Sequence, residues 1–215
     1  MIKLFLDIET LPAEEKMREE IAKEITSPKN LKTEDAIKEW EENEKPLKVE
    51  EAFRKTALSG DFGRILCVGY IKEMGQKIDK EVIKGEEVDI LKKFWDVARD
   101  VDLFIGHNIL GFDLKFIVKR SIVHRIKPTL PISFARFRSE PIYDTMCEWE
   151  KWSGFISLDK FAKALGFESS KGTLDGSKVY DYHQEGRTDE IYDYCMADVE
   201  LTRKIYYRMN FSEPR

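Results

Sequence analysis

The feature that most constrains the fold is the way hydrophobic periodicity changes along the chain. Apolar and polar residues alternate over residues 2–8, which predicts a first strand with an aliphatic face. Later segments switch between the period of strands and the period of helices. Strands are predicted over 64–72, 76–84, 101–105 and 141–143, and helices over 86–99, 112–123 and 188–209. This order predicts an α/β fold in which helices flank a sheet with mixed strand directions.

Residues 13–56 depart from this pattern, because they carry 13 acidic and 10 basic side chains with thin apolar stripes at helical spacing. Thr33, which precedes Glu34 and Asp35, has the position of a helix N-cap. We therefore expect a charged helical insertion after the first strand, inside a single domain that spans residues 1–215. Two roles remain open for it: a solvated helical flap without a direct role, or a lid that gates the substrate.

Composition excludes several classes of protein. A chain of 215 residues can bury a sizeable core without disulfides or a structural metal. The three cysteines form no CxxC pair, so neither a disulfide framework nor a cysteine zinc site is expected. Acidic residues interrupt the first apolar run, and no apolar stretch is long enough to span a bilayer. We expect a soluble, cytoplasmic protein without a membrane partner. The net charge of −5 excludes a uniformly basic surface but allows a local basic groove.

Two acids follow one another on the same face of the first strand. Asp7 and Glu9 are spaced i, i+2, which places their side chains on one face, roughly 7 Å apart. That face also carries Phe5, and two neighbouring carboxylates there would repel each other and resist burial. A bound cation would resolve both problems. The alternative is that the strand ends in solvent at Asp7.

Two further acids lie on predicted helices. Asp113 is in the first turn of its helix, where the macrodipole favours an anion, so an ordinary first-turn aspartate is the alternative. Asp198 lies on the inward stripe of the last helix, one turn after Tyr194, and its alternative is a position at the stripe edge. Four acids from a strand, a helix start and a late helix suit a site for oxygen-preferring cations such as magnesium or manganese.

Three segments resemble the motifs of the DEDD superfamily of 3′–5′ exonucleases. They are Leu6-Asp7-Ile8-Glu9-Thr10, residues 108–113, and Tyr194-Cys195-Met196-Ala197-Asp198. The third has the Tyr-x-x-x-Asp form of the DEDDy subgroup. The chain is most similar to stand-alone exonucleases related to the proofreading domain of family B DNA polymerases, over residues 2–12 and 62–209. The resemblance implies an RNase H-like fold with a mixed five-stranded sheet.

The same resemblance implies a mechanism. Asp7, Glu9, Asp113 and Asp198 would bind two divalent cations, magnesium or manganese, with Asp7 bridging both. Glu9 and Asp198 would hold the ion that generates the attacking hydroxide, and Asp113 would serve the second. Tyr194 would orient the attacking water. The implied substrate is a single-stranded 3′ end of DNA or RNA, with DNA favoured, and the product is a nucleoside 5′-monophosphate.

Substrate contacts are also implied by the resemblance. Thr10 and Leu11 would lie at the terminal nucleotide, Leu11 as an apolar contact to the base. Asn108 and Phe112 would position its sugar and base. His107 is either a capping or packing histidine or a direct contact. Asp144, at the end of a predicted strand, is expected to be a structural hydrogen-bond acceptor, and a fifth metal ligand is the alternative.

Basic residues are concentrated directly after Asp113. Residues 115–138 contain seven basic side chains and no acid, and Phe134 and Phe137 lie among the last arginines. Lys115, Lys119 and Arg120 are expected to bind phosphates, and the aromatic side chains to stack on unpaired bases. The alternative for this run is an ordinary solvated helix face and loop.

Two functions remain beside the exonuclease. One is a nucleic-acid-binding scaffold of the same fold that has lost catalysis, although no motif residue is missing. The other is a phosphoesterase that acts on small nucleotides, with the insertion excluding polymers.

Overall fold

The described part of the chain, residues 1–169 and 174–213 of a computed structural model, contains one mixed sheet of five strands. The strands are β1 (Ile2–Leu11), β2 (Arg64–Met74), β3 (Lys77–Lys84), β4 (Leu103–Gly106) and β5 (Ile142–Asp144). Their order is β3-β2-β1-β4-β5. The pairs β1–β2 and β2–β3 are antiparallel, whereas β1–β4 and β4–β5 are parallel. The predicted mixed five-stranded sheet is confirmed and is consistent with an RNase H-like exonuclease fold.

Helices cover both faces of this sheet. They are α1 (Lys16–Glu24), α2 (Glu34–Asn43), α3 (Lys45–Lys55), α4 (Glu87–Ala98), α5 (Asp113–Val123), α6 (Thr145–Glu150), α7 (Leu158–Ala164), α8 (Val179–Gln184) and α9 (Thr188–Met209). The three helical segments predicted outside the insertion correspond to α4, α5 and α9. Among the helices that the structure describes, none has the length and apolar character needed to cross a membrane.

Strand β1 is longer than its alternating pattern predicts. It continues past residue 8 to Leu11, because its pairing with β2 resumes after an irregularity between Glu9 and Thr10. Asp7 is paired with Gly69 and Glu9 with Cys67. The strand therefore does not end in solvent at Asp7, and both acids lie within the sheet.

The two faces of β1 belong to different parts of the core. Leu4, Leu6 and Ile8 pack with residues of α4 and α5 on one side of the sheet. Phe5 packs on the opposite side against α9, with its ring centroid 5.5 Å from that of Tyr206. Since side chains alternate along a strand, Asp7 and Glu9 point towards the α9 side.

Helix α9 lies unusually close to the middle of β2. A Cβ atom at Gly69 would be 2.9 Å from the Cys195 sulfur and 3.2 Å from a Val199 methyl group, so a larger residue there would push the helix away. The absence of a side chain at this position brings α9 down onto the sheet. This close packing carries Asp198 towards Asp7 and Glu9.

The insertion contains the predicted helices, and the Thr33 hydroxyl accepts a hydrogen bond from the backbone N–H of Ala36 as an N-cap. Helix α3 packs against α8. Phe53 is buried, with its ring centroid 6.0 Å from that of Tyr180. A nitrogen of the Arg54 guanidinium lies 2.6 Å from the carboxylate of Asp181. The last helix of the insertion is thus attached to the body of the protein by an apolar contact and an ion pair.

Candidate active site

Three acidic side chains meet where β1 faces α9. One carboxylate oxygen from each of Asp7, Glu9 and Asp198 lies within 4.8 Å of the other two. Glu9 and Asp198 are buried, and Asp7 is half-buried. The i, i+2 spacing on β1 supplies two of the acids, and the close approach of α9 supplies the third. Oxygen ligands at this spacing suit a hard divalent cation.

The cluster is electrostatically unfavourable without a cation. Burial raises the pKa of Asp7 well above its ordinary value, and the charges of Asp113, Asp198 and Glu9 raise it further. Burial also raises the pKa of Glu9, with further contributions from Cys67, Asp198 and Asp113. Bound divalent cations would offset both the desolvation and the mutual repulsion. The donor set therefore fits magnesium or manganese.

Asp113 lies beside this cluster and does not belong to it. Its side chain is buried, and one of its oxygens accepts a hydrogen bond from the backbone N–H of Ile8 at 3.0 Å. Burial raises the pKa of Asp113 to about 7, and the charges of Asp144 and Asp198 act in the same direction while backbone N–H groups oppose them. The structure thus groups three of the four predicted acids and places the fourth against the neighbouring backbone of β1.

Asp144 holds the loop that leads to Asp113. Its carboxylate accepts hydrogen bonds from the backbone N–H groups of Asn108 at 3.0 Å and Leu110 at 3.1 Å, and it also caps α6. A carboxylate with this many N–H donors is satisfied without a metal, as expected for a structural acceptor. Asn108 has a φ of 58°, and its side-chain oxygen occupies the space that a Cβ at Gly111 would need. A larger residue at 111 would therefore displace the Asn108 side chain.

Tyr194 is one turn before Asp198 on α9, and its hydroxyl donates a hydrogen bond to the Asp198 carboxylate. Burial raises the pKa of Tyr194, and the charge of Asp198 raises it further. The hydroxyl is therefore protonated at neutral pH and can donate a hydrogen bond. It is poorly suited to accept a proton as a general base.

Two cysteines adjoin the cluster, a feature that the sequence interpretation missed. The Cys195 thiol donates a weak hydrogen bond to the backbone oxygen of Asp7 at 3.5 Å. The pKa of Cys195 is raised by several effects, of which a hydrogen bond with Cys67 is the largest and burial the second. The thiol is therefore neutral and supports the backbone of β1. A signal was available: Cys195 precedes Asp198 by three residues, so the two side chains project from neighbouring sides of α9.

Several predicted substrate contacts have protein partners. The Thr10 hydroxyl donates to the backbone oxygen of Ala57 at 2.8 Å. The Leu11 side chain is only 4% exposed and packs in an apolar cluster with residues of α8 and α9. The expectation that Leu11 presents an apolar surface to a base does not fit this position. Strand β1 continues through Leu11 and directs its side chain into the core.

His107 is a packing histidine in this structure. One ring nitrogen lies 3.0 Å from the Thr145 hydroxyl, and the other lies 2.8 Å from the backbone oxygen of Ile156. Burial lowers the pKa of His107, which favours the neutral ring. Both ring nitrogens are occupied by the protein, so a direct contact with substrate is not supported.

The basic residues after Asp113 have different environments. Lys115 is exposed and forms no salt bridge with any acid in the described ranges. The Lys119 ammonium lies 2.6 Å from the carboxylate of Asp61 and remains partly exposed. Arg120 is only 7% exposed, and its guanidinium makes two hydrogen bonds to Glu87, at 2.8 and 2.9 Å. The expectation that Arg120 binds phosphate is corrected by this buried ion pair.

Two depressions are lined by residues that the sequence assigned to the site, and one of them includes an acid of the cluster. A cleft of about 280 Å³ includes Glu9 and Thr10, and residues of α3 and of the segment before α8 form its opposite wall. A small groove of about 50 Å³ lies between Gly60 and the start of α5, where Phe112, Lys115 and Lys119 line it. The insertion thus contributes one wall of the cleft that contains Glu9.

A known protein family matches most of the chain. A family described as "Predicted 3'-5' exonuclease related to the exonuclease domain of PolB" matches residues 62–215. The chain belongs to this family. The resemblance inferred from the motifs is thereby confirmed. No curated protein and no solved structure matches the chain at a significant level.

Membership of the exonuclease family implies a nuclease that depends on divalent metal and acts on nucleic acid. The matched region contains Asp113, Tyr194 and Asp198, whereas Asp7 and Glu9 precede it. The geometry joins the two parts, because oxygens of Asp7 and Glu9 lie within 4.8 Å of an oxygen of Asp198. The whole insertion, residues 13–56, also lies outside the match.

Proposed function

We propose that the protein is a metal-dependent 3′–5′ exonuclease that hydrolyses phosphodiester bonds at single-stranded 3′ ends and releases nucleoside 5′-monophosphates. DNA is favoured over RNA as the substrate, on the basis of the motif resemblance. The observation that carries this proposal is the convergence of Asp7, Glu9 and Asp198 within 4.8 Å in a member of an exonuclease family.

In this proposal Asp7, Glu9 and Asp198 bind two divalent cations, magnesium or manganese, and Asp113 supports the second position. When bound, the cations supply an activated water and offset the charge on the departing 3′ oxygen. Tyr194, which is protonated and donates to Asp198, orients the attacking water by hydrogen bonding. Asn108 and Phe112, in the loop that Asp144 holds, lie beside the terminal nucleotide.

The strand is proposed to approach along the groove at the start of α5. Lys115 is exposed there and Lys119 is partly exposed, so both ammonium groups can meet backbone phosphates. Arg120 is left out of this set because its guanidinium is buried against Glu87. The cleft beside Glu9 and Thr10 is open to solvent and offers space for the terminal nucleotide.

The decisive experiment is a time course with 5′-labelled single-stranded DNA and RNA oligomers, with and without manganese. We expect a ladder that shortens from the 3′ end only when metal is present, and faster on DNA. A scaffold protein would bind the oligomers without shortening them. A phosphoesterase for small nucleotides would cleave a nitrophenyl nucleotide ester and leave the oligomers intact. Either result would contradict the proposal.

Substitution of Lys115 tests which basic residues meet the strand. Lys115→Ala is expected to weaken binding of single-stranded DNA and to reduce the slope of log affinity against log salt by about 0.7, the value for one phosphate contact on a single strand. Fluorescence anisotropy over a salt series measures both quantities.

Arg120→Ala is the contrasting variant. It is expected to lower the free energy of unfolding by about 2 kcal/mol, because Glu87 loses two hydrogen bonds from the guanidinium and keeps those with His124 and the backbone N–H of Ile65. The salt slope of the folded Arg120→Ala protein should equal that of the wild type. A reduced slope in Arg120→Ala, or an unchanged slope in Lys115→Ala, would reverse this assignment of the two side chains.

A further inference from the structure

A third depression, of about 300 Å³, adjoins the groove at the start of α5, and Gly111 lines both of them. Asn108 and Gly111 form one wall, and Phe134, Phe137 and Trp152 are among the residues that form the rest. We call this depression the aromatic pocket. It begins on the same loop that carries Phe112 and Asp113, so it adjoins the proposed active site without containing any of the clustered acids.

Two of the three aromatic side chains of this pocket are exposed to solvent, and the third, Trp152, is partly exposed. Phe137 is 74% exposed and Phe134 is 39% exposed. The rings of Phe137 and Trp152 are 5.4 Å apart between centroids, at an angle of 53°. Exposed aromatic rings that are grouped together contribute little to the stability of the core, whereas they offer flat faces to a ligand.

The backbone holds two of these rings in an unfavourable conformation. Phe137 has a φ of 62° and Trp152 a φ of 64°, values that bulky side chains rarely adopt. Such conformations cost free energy and persist where the surrounding structure imposes them, often at binding sites. Both strained residues line the same pocket, which supports a binding role.

The charge of the wall formed by Phe134, Arg136 and Phe137 favours an anionic ligand. Arg136 lies in its lining, and in the described part of the chain no acid forms a salt bridge with it. Residues 115–138, which include this segment, contain seven basic residues and no acid. Rings beside a cation match the chemistry of a polynucleotide, whose bases stack on aromatic faces while its phosphates pair with arginine.

We propose that the aromatic pocket stacks an unpaired base of the bound strand, upstream of the nucleotide that is removed, with Phe137 and Trp152 against the base and Arg136 beside a phosphate. This inference rests on the proposed exonuclease function and extends it to a site for the polymer. It gives the enzyme a means of preferring an oligomer over a mononucleotide ester.

The first test measures stacking directly. Single-stranded DNA with 2-aminopurine at successive positions from the 3′ end is titrated with the Asp198→Asn protein, in which the strand stays intact. Fluorescence quenching is expected at one upstream position. Quenching should be lost in Phe137→Ala and retained in Phe137→Tyr, which keeps the aromatic face. Equal quenching at that position in Phe137→Ala would overturn the proposal.

The second test separates polymer binding from chemistry. Phe137→Ala is expected to lower kcat/KM on single-stranded oligomers roughly tenfold, the loss of one base–aromatic stack. Cleavage of the 4-nitrophenyl ester of thymidine 5′-monophosphate should not change. Phe155→Ala is the matched control, because Phe155 is 73% exposed and lies outside the pocket lining.

The outcomes distinguish this inference from the proposed function. If the wild type degrades oligomers and Phe137→Ala behaves like Phe155→Ala, the pocket assignment fails and the exonuclease stands. If the wild type cleaves neither substrate, the proposed function fails, and loss of 2-aminopurine quenching in Phe137→Ala would still support the pocket as a nucleic-acid site.

Discussion

Asp198→Ala is expected to reduce the exonuclease rate on the order of a thousandfold. The substitution removes one of three oxygens that lie within 4.8 Å of one another, and it also removes the acceptor of the Tyr194 hydrogen bond. Single-turnover cleavage of a 5′-labelled strand in magnesium and in manganese measures the loss. Asp7→Ala should give an effect of similar size, because Asp7 faces both other acids.

The control for this prediction is Asp193→Ala. Asp193 is on the same helix but is exposed. The Asp193→Ala substitution therefore changes the net charge by the same amount as Asp198→Ala without altering the cluster. Circular dichroism should show that all three variants remain folded. Cleavage at the wild-type rate in Asp198→Ala would remove Asp198 from the ligand set, whereas equal losses in Asp193→Ala would indicate a general charge effect.

The metal-free protein is expected to lose stability as the pH rises from about 5 to 8. The pKa of Asp113 is about 7 in the folded state against an ordinary value of 3.8, so the folded state holds a proton that the unfolded state releases. Its contribution is fully present below the ordinary value and is lost as the pH rises through 7, up to about 4 kcal/mol. The raised pKa values of Asp7 and Glu9 act in the same direction.

Urea unfolding in EDTA at a series of pH values measures this loss. Magnesium or manganese should restore stability, and more at pH 8 than at pH 5, since the ligands are ionised at the higher pH. Asp7→Asn should flatten the metal-free profile and weaken the response to metal. This comparison isolates the cluster, because groups outside it are the same in both proteins. One of these groups is His107, whose pKa is lowered by burial and whose contribution to stability therefore has the opposite sense.

A metal-free stability that is constant between pH 5 and 8, and equal in the wild type and Asp7→Asn, would contradict the electrostatic account of the cluster. This test does not depend on cleavage. It therefore examines the proposed metal site separately from the substrate and the reaction.

Local pattern predicted the elements and the direction of key side chains. Alternation over residues 2–8 placed Asp7 and Glu9 on the face shared with Phe5, and helical spacing placed Asp198 on the inward stripe of its helix. Both statements follow from the backbone geometry of isolated elements, which needs no knowledge of neighbours. The outcome for Leu11 differed, because only pairing with β2 shows that β1 continues beyond residue 8.

Partners of charged side chains could not be predicted in this way. Arg120 is in a basic run, and its sequence neighbours do not indicate which acid it pairs with. The acid is Glu87, which is 33 residues away in sequence but within hydrogen-bond distance in space. His107 similarly bonds with Thr145 and Ile156. The aromatic pocket joins Phe137 to Trp152 across β5 and α6, and the sequence interpretation noted only the phenylalanines.

The sequence by itself determined the α/β class, the mixed sheet, the acids available for a metal site and the exonuclease family. These depend on periodicity and on motifs, which are properties of short segments. Only the tertiary structure decided which acids meet, which basic side chains stay exposed and which aromatic rings share a pocket. The reason is that these contacts depend on close approach between distant segments, as where Gly69 lets α9 settle on β2 and brings Asp198 to Asp7 and Glu9.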